Sequence, residues 1–251
     1  MSAEQLRSAP PAVVLFMTGG GFVDAIASLQ RAGIGDDLCG PFLSALPVTG
    51  VAISTLGDPF GSETVCASDA AAAELDEIQL DLGEGPCWEA MLTGVPVLEP
   101  NVQTATSPNW PMASRALRET GLGAVFAFPM RVGTLNVGAV DLYDQTSVAL
   151  PATAVRDATA LVHVVARHVL HRALVQAGGS SDERQQSEGR YSRREVYQAS
   201  GMLAAQTGTT AADALLLLRA YAHSAGRSVR DLSADIIARN VDFTDRSDVS
   251  S

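Results

Sequence analysis

Near the carboxy end of the chain three helix-start signatures follow one another: Ser192-Arg193-Arg194-Glu195, Thr210-Ala211-Ala212-Asp213 and Ser228-Val229-Arg230-Asp231. In each, a hydroxyl is placed to accept from the first unpaired backbone N–H groups, and an acid three residues on reaches back toward it. The helices so marked are short, and isolated helices of that length are marginal in water. They must therefore pack on one another as a small all-helical module, separate from whatever precedes it.

A chain of 251 residues leaves one large domain or two smaller ones open, and 47% apolar residues suffice for a core. The formal net charge of −11 argues against a surface that coats nucleic acid or anionic membrane throughout. Its distribution is uneven. Residues 1–189 carry 9 Arg against 21 acids, net −12, whereas residues 190–239 carry 7 Arg against 4 acids, net +3. All 17 cations are Arg, the planar fork that suits phosphate, although a chain-wide preference for Arg over Lys accounts for this without function.

Cys39, Cys66 and Cys87 form an odd set without metal-type spacing, as expected in a reducing compartment. The apolar run Ala12 to Met17 is too short for a signal-peptide core, and no segment approaches a membrane span. A cytoplasmic protein without membrane contact is expected.

Residues 1–21 end in Thr18-Gly19-Gly20-Gly21 and read as a flexible leader. Helical periodicity runs from Phe22 to Ala32, Val48 to Leu56 alternates as a half-buried strand, and Glu63 to Ala67 is its hairpin partner across Gly57-Asp58-Pro59. Helices follow at Ala70 to Leu80, Trp88 to Leu92 and Arg115 to Thr120, with strands at Val95 to Leu98, Gly123 to Arg131 and Asn136 to Tyr143. This order predicts an α+β domain with an antiparallel sheet. Ala152 to Ala177 reads as one long helix whose stripe of Val155, Ala158, Leu161, Val162, Val165, Val169 and Leu170 is expected to stay partly uncovered and to pair with a second chain. Residues 176–190 read as a linker or coiled-coil extension, 191–242 as the three-helix module and 243–251 as a disordered tail.

Two blocks carry a family resemblance. Residues 82–98 (LGEGPCWEAMLTGVPVL), Trp110-Pro111, Gly121 to Met130 and Asn136 to Tyr143 resemble a GAF domain, which sets the sensor domain at residues 22–175. Tyr197-Gln198-Ala199-Ser200-Gly201-Met202-Leu203-Ala204, Ala214-Leu215, Leu218-Arg219 and Arg230-Asp231-Leu232-Ser233 resemble an ANTAR domain, named for the AmiR and NasR transcription antitermination regulators. The resemblance implies a dimeric regulator whose helical modules hold hairpins of a nascent transcript. The chain departs from the pattern at Ser200, where a Lys is usual, which removes one cation from the expected contact face.

Together with the resemblance, the residues give an RNA-binding set of Arg193, Arg194, Gln198, Ser200, Gly201, Arg219, Tyr221, Arg227 and Arg230, expected to form one continuous cationic patch that meets phosphates and stacks on unpaired bases; without the resemblance an ordinary solvated face is the default reading of the arginines. Tyr191, Tyr197 and Tyr221 lie in the same segment; packing in a small bundle is the plainer reading of each ring. Cys66, Cys87, Trp88, Phe126 and Phe128 are the candidate ligand-pocket residues of the sensor. An enzyme of the free methionine sulfoxide reductase kind, or a redox sensor, would need Cys66 and Cys87 to converge within disulfide range. An interaction adaptor that has lost RNA binding is the other alternative.

No histidine precedes His163, which excludes a histidine ligand for haem and a Ser-His or Cys-His pair in the sensor core. His163, His168 and His171 have no acid or thiol close by in sequence. Glu74, Asp76, Glu77, Asp81, Glu84 and Glu89 read as a solvated helix face. No catalytic set, metal or cofactor is expected. The partners expected are RNA hairpins, a small-molecule ligand of the sensor and a second copy of the chain.

Overall fold

The computed structural model describes residues 20–178, 193–241 and 243. The expected leader, linker and terminal tail, with Tyr191 and Ser192, fall largely outside these. The first domain contains α1 (Gly20–Arg31), α2 (Gly40–Ala45), β1 (Gly50–Thr55), β2 (Glu63–Ala67), α3 (Ala70–Leu82), α4 (Pro86–Thr93), β3 (Val97–Glu99), α5 (Pro111–Glu119), β4 (Ala124–Val132), β5 (Leu135–Asp144) and α6 (Ala152–Gly178). The second contains α7 (Arg194–Thr207), α8 (Ala211–Ser224) and α9 (Val229–Ile237).

The five strands form one sheet in the order β2-β1-β5-β4-β3, with every neighbouring pair antiparallel. Helices cover both faces, so the central strands are buried on both sides and alternate between two cores. Val51, Ile53, Phe126, Phe128 and Met130 face α1, α2 and α6; Ala52, Val125 and Tyr143 face α3 and α5. Close approach of β5 to β1 requires a glycine at Gly138, where φ is 157° and a Cβ would stand 1.9 Å from the Ser54 carbonyl oxygen.

The apolar stripe of α6 is largely used within the chain, because α6 lies across β4. Ala158, Leu161, Val162, Val165 and Val169 are buried in the first core, and Val155 and Leu170 pack at its edge. Large apolar exposure on this helix is confined to Leu174 and Val175 among the described residues. The helix α2 is too short for its periodicity to mark it in the sequence. It forms where Pro41 and Phe42 are buried under α1.

In the second domain Val196, Ala199, Leu203, Ala214, Leu218, Ala222, Val229, Leu232 and Ile236 make a closed three-helix core. Two of the three expected caps are present. Thr210 Oγ1 accepts from Asp213 N at 3.1 Å and Ser228 Oγ accepts from Asp231 N at 3.0 Å. The N-cap of α7 is Arg193, without a side-chain cap bond; its expected cap, Ser192, lies outside the described residues.

Candidate nucleic-acid interface

Three arginines of the helical module, Arg193, Arg219 and Arg230, are drawn onto α3 of the sheet domain. This helix turns Ala72, Leu75, Asp76, Gln79 and Leu80 inward, which leaves Glu77 and Asp81, one turn apart, facing the second domain. Arg193, whose side chain is 3% exposed, places Nη1 at 2.8 Å from Glu77 Oε1 and bonds Asp81 Oδ1 through Nη2. Arg230 adds Nε at 2.9 Å to the same Glu77 oxygen and Nη1 at 3.1 Å to Glu195. Asp81 Oδ2 accepts the first N–H of α9, that of Val229, at 3.0 Å.

Asp81 thus stands at the positive end of a helix dipole and beside a guanidinium, while Glu77 receives two guanidinium groups. Burial disfavours the Arg193 charge, but Asp81 and then Glu77 outweigh it and hold its pKa above the ordinary value. Arg193, Arg230 and the Val229 N–H form an arrangement that suits any oxyanion, phosphate included.

Two further contacts flank this centre. Arg219 lies 5.9 Å from the centre of the Trp88 ring and donates from Nη2 to the Leu80 carbonyl at 3.1 Å. Burial, and next the Arg193 charge, lower its pKa. Gly83, at φ 68°, closes α3 in the left-handed conformation, and a Cβ there would stand 2.6 Å from Arg219 Nη1. On the other side the Ser62 N–H donates to Tyr197 Oη, beside Gly61.

The expected continuous cationic patch is therefore not what the structure presents. Arg193, Arg219 and Arg230 are engaged by the acids, a carbonyl and an indole ring of the first domain, and Arg227 bonds Asp235 at 2.6 Å. Ser200 is buried, its hydroxyl donating to the Tyr197 carbonyl at 2.9 Å. Tyr221 packs edge-on against Phe243, with ring centroids 5.1 Å apart, and belongs to the bundle core. Arg194, Gln198 and Gly201 lie on the exposed side of α7.

Nor do the six acids make one solvated face. Asp76 is fully buried, Glu77 and Asp81 hold the second domain, Glu84 accepts the Met112 and Ala113 N–H groups, and Glu89 accepts from Asn109 and Trp110. Of the six, Glu74 is exposed. The sequence does hold a signal for Asp76, which shares the helical face of Ala72, Leu75, Gln79 and Leu80. Nothing local marks Glu77 and Asp81.

The candidate ligand-pocket residues do not line one space. Phe126, Phe128 and Cys66 belong to the core under α6, whereas Cys87 and Trp88 lie on the opposite face of the sheet. Cys66 and Cys87 do not converge; Cys66 is disulfide-bonded to Cys39, and Cys87 is a free, buried thiol whose pKa burial pushes up. The reductase-type enzyme built on Cys66 and Cys87 loses its pair.

On the α3 face the interior is filled by a polar network. Asp76 accepts from the hydroxyls of Ser54, at 2.5 Å, and Thr64, and burial pushes its carboxyl up to about 6 against those bonds. Gln79 donates to Asp141 at 2.8 Å and accepts the Cys87 N–H at 2.9 Å. Asp141, buried and next to Asp76, is raised well above the carboxylate range, first by burial and then by the Asp76 charge. An open cleft of about 650 Å³ lies elsewhere, between α1 and α2, lined by Asp24, Ser28, Arg31, Asp36, Asp37 and Ser44 among others.

Residues 187–237 match the family model of the ANTAR domain. No curated protein matches the chain. Among solved structures it is similar to the GAF domain of a phosphoenolpyruvate-protein phosphotransferase from Coxiella burnetii, at 13% identity over 62% of this chain and 97% of that one, with a TM-score of 0.48. The corresponding domain from Acinetobacter is similar at 11% identity over 64% and 95%, TM-score 0.47. A type II free methionine-R-sulfoxide reductase from Thermoplasma acidophilum is similar at 15% identity over 60% and 96%, TM-score 0.39. The ANTAR match falls on the three-helix module, and the antiparallel, helix-covered sheet domain precedes it.

Proposed function

We propose that this chain is a signal-responsive RNA-binding regulator of transcription antitermination, and that the arrangement described above is its closed form. The observation that carries the reading is the ANTAR match over α7, α8 and α9. It is supported by the oxyanion-binding set of Arg193, Arg230 and the α9 N-terminus, on which Glu77 and Asp81 stand where transcript phosphates would compete. The GAF-type domain is the sensor, and its signal acts by favouring one of two arrangements of the modules. The role is regulatory rather than enzymatic. No helix among the described residues is long and apolar enough to cross a membrane, in keeping with a cytoplasmic site of action. A homodimer through the far end of α6 would cover Leu174 and Val175.

The engagement of three arginines by the first domain also favours a second reading, an adaptor whose helical module contacts protein alone. Fluorescence anisotropy separates the two. The full chain carrying both Glu77→Gln and Asp81→Asn is titrated with a two-hairpin RNA and with an unstructured RNA of equal length, over a salt series. The regulator binds the hairpins preferentially, with affinity falling as salt rises, and loses binding on Arg194→Ala with Gln198→Ala. Absence of hairpin preference at every salt concentration overturns the RNA reading.

A further inference from the structure

We infer that Cys39 and Cys66 form a reversible thiol–disulfide modification site that sets how firmly β2, and with it the ANTAR module, is held. The pair lies apart from the interface and from the buried acids. Cys39 sits in the turn before α2, and Cys66 lies on β2, opposite Ile53 of β1; their Cα atoms are 6.3 Å apart. In a reducing cytoplasm a disulfide serves as a redox switch more often than as a permanent brace. Cys66 is only partly buried, and Asp37, which is exposed, brings a carboxylate oxygen within 4.8 Å of both sulfur positions. The open cleft reaches this turn through Asp37 and Gly40.

The strand it ties down is the one that touches the second domain. β2 is an edge strand with β1 as its one partner in the sheet, and their register shifts between Ile53 and Ser54. Just before and at its start, Ser62 donates to Tyr197, and Glu63 takes a main-chain hydrogen bond from Arg193. Next along, Thr64 bonds Asp76 of α3. The Cys39 link at Cys66 fastens the far half of the same short strand to the turn before α2. Without it β2 is held by its ladder to β1 and by side-chain bonds, and edge strands open more readily than central ones.

The chemistry is thiol–disulfide exchange with a dithiol reductant. Its thiolate attacks Cys66 Sγ, the Cys39–Cys66 bond breaks, and Cys39 leaves as a thiolate that takes a proton. The second thiol of the reductant then resolves the mixed disulfide and releases Cys66 as a thiol, so two electrons and two protons pass to the protein and the reductant becomes a disulfide. Oxidation locks the closed form; reduction loosens it. The link to RNA affinity and the reducing surroundings rest on the function proposed above, whereas the disulfide and its exchange chemistry do not.

The test uses the full chain, oxidised or treated with dithiothreitol, beside Cys39→Ser, Cys66→Ser and Cys87→Ser. Alkylation with mass mapping is expected to find Cys39 and Cys66 protected in the oxidised protein and modified after reduction, with the change reversed on reoxidation. Hydrogen exchange over residues 61–67 and 193–198 is expected to rise about tenfold on reduction in wild type and in Cys87→Ser, and to be already high and unresponsive in Cys39→Ser and Cys66→Ser. Free alkylation of Cys39 and Cys66 in the oxidised protein, or unchanged exchange on reduction, overturns the proposal. A response in exchange without any gain in hairpin affinity upholds the switch and counts against the RNA reading instead.

Discussion

Replacing Asp81 by Asn removes one of two counter-charges from a guanidinium that is almost wholly out of water. Arg193 retains Glu77, but the new amide has a single acceptor oxygen where Asp81 bonds Arg193 with one oxygen and the Val229 N–H with the other, so its NH2 is left facing a donor. Breaking a fully buried pair costs about 3–5 kcal/mol. Asp81 is 17% exposed and Glu77 remains, which reduces the expected cost to about 2 kcal/mol, or about 30-fold in the docking equilibrium. Undocking rehydrates Arg193, so the cost falls on docking rather than on either core. The Ser62 amide reports this cleanly, because it bonds Tyr197 and does not touch Asp81. Its protection from hydrogen exchange is expected to fall by about 30-fold in Asp81→Asn, with little change in melting temperature. If hairpin RNA binds only the undocked module, apparent affinity rises by up to the same factor. Unchanged Ser62 protection would refute the argument that the two acids of α3 hold the module in place.

Asp76 titrates at about 6 in the fold against 3.8 when free, so the folded chain holds a proton that the unfolded chain has released, and stability falls as pH rises through that window. The loss amounts to about 3 kcal/mol. Asp76→Asn is expected to remove it, so that the variant gains on wild type in thermal melts between pH about 4 and about 6; a constant difference across that range would count against a buried, proton-holding Asp76. Ser228→Ala removes the acceptor for Asp231 N and is expected to cost the helical module about 1 kcal/mol, whereas Ser228→Gly costs a few tenths; equal urea midpoints for the two variants would show that the cap does not operate.

Much of this molecule is legible from local physics alone. The Thr210 and Ser228 caps, the spacing of Val196, Ala199 and Leu203, and the β2 span of Glu63–Ala67 all depend on neighbours within one turn or one strand, and all are present. Where expectation and fold part company, the deciding partner is remote. Periodicity leaves the α6 stripe free for a second chain, since nothing within the helix reveals that β4 covers it. Cys66 meets Cys39 rather than Cys87, because the register shift in β2 places Cys66 opposite Ile53 on the α6 side of the sheet, although Thr64 two residues earlier faces α3, while Cys87 lies on that other side.

The sequence by itself determined a helix-covered antiparallel domain, a three-helix module after it and a surplus of arginine on that module. Periodicity, capping and net charge are properties of short segments. The tertiary structure decided which carboxylates those arginines meet. Arg193 and Arg230 reach Glu77 across more than a hundred residues of chain, and a guanidinium binds a carboxylate or a phosphate with equal readiness. Whether that surface faces water, RNA or α3 is set by how two folded domains dock, and no local pattern encodes it.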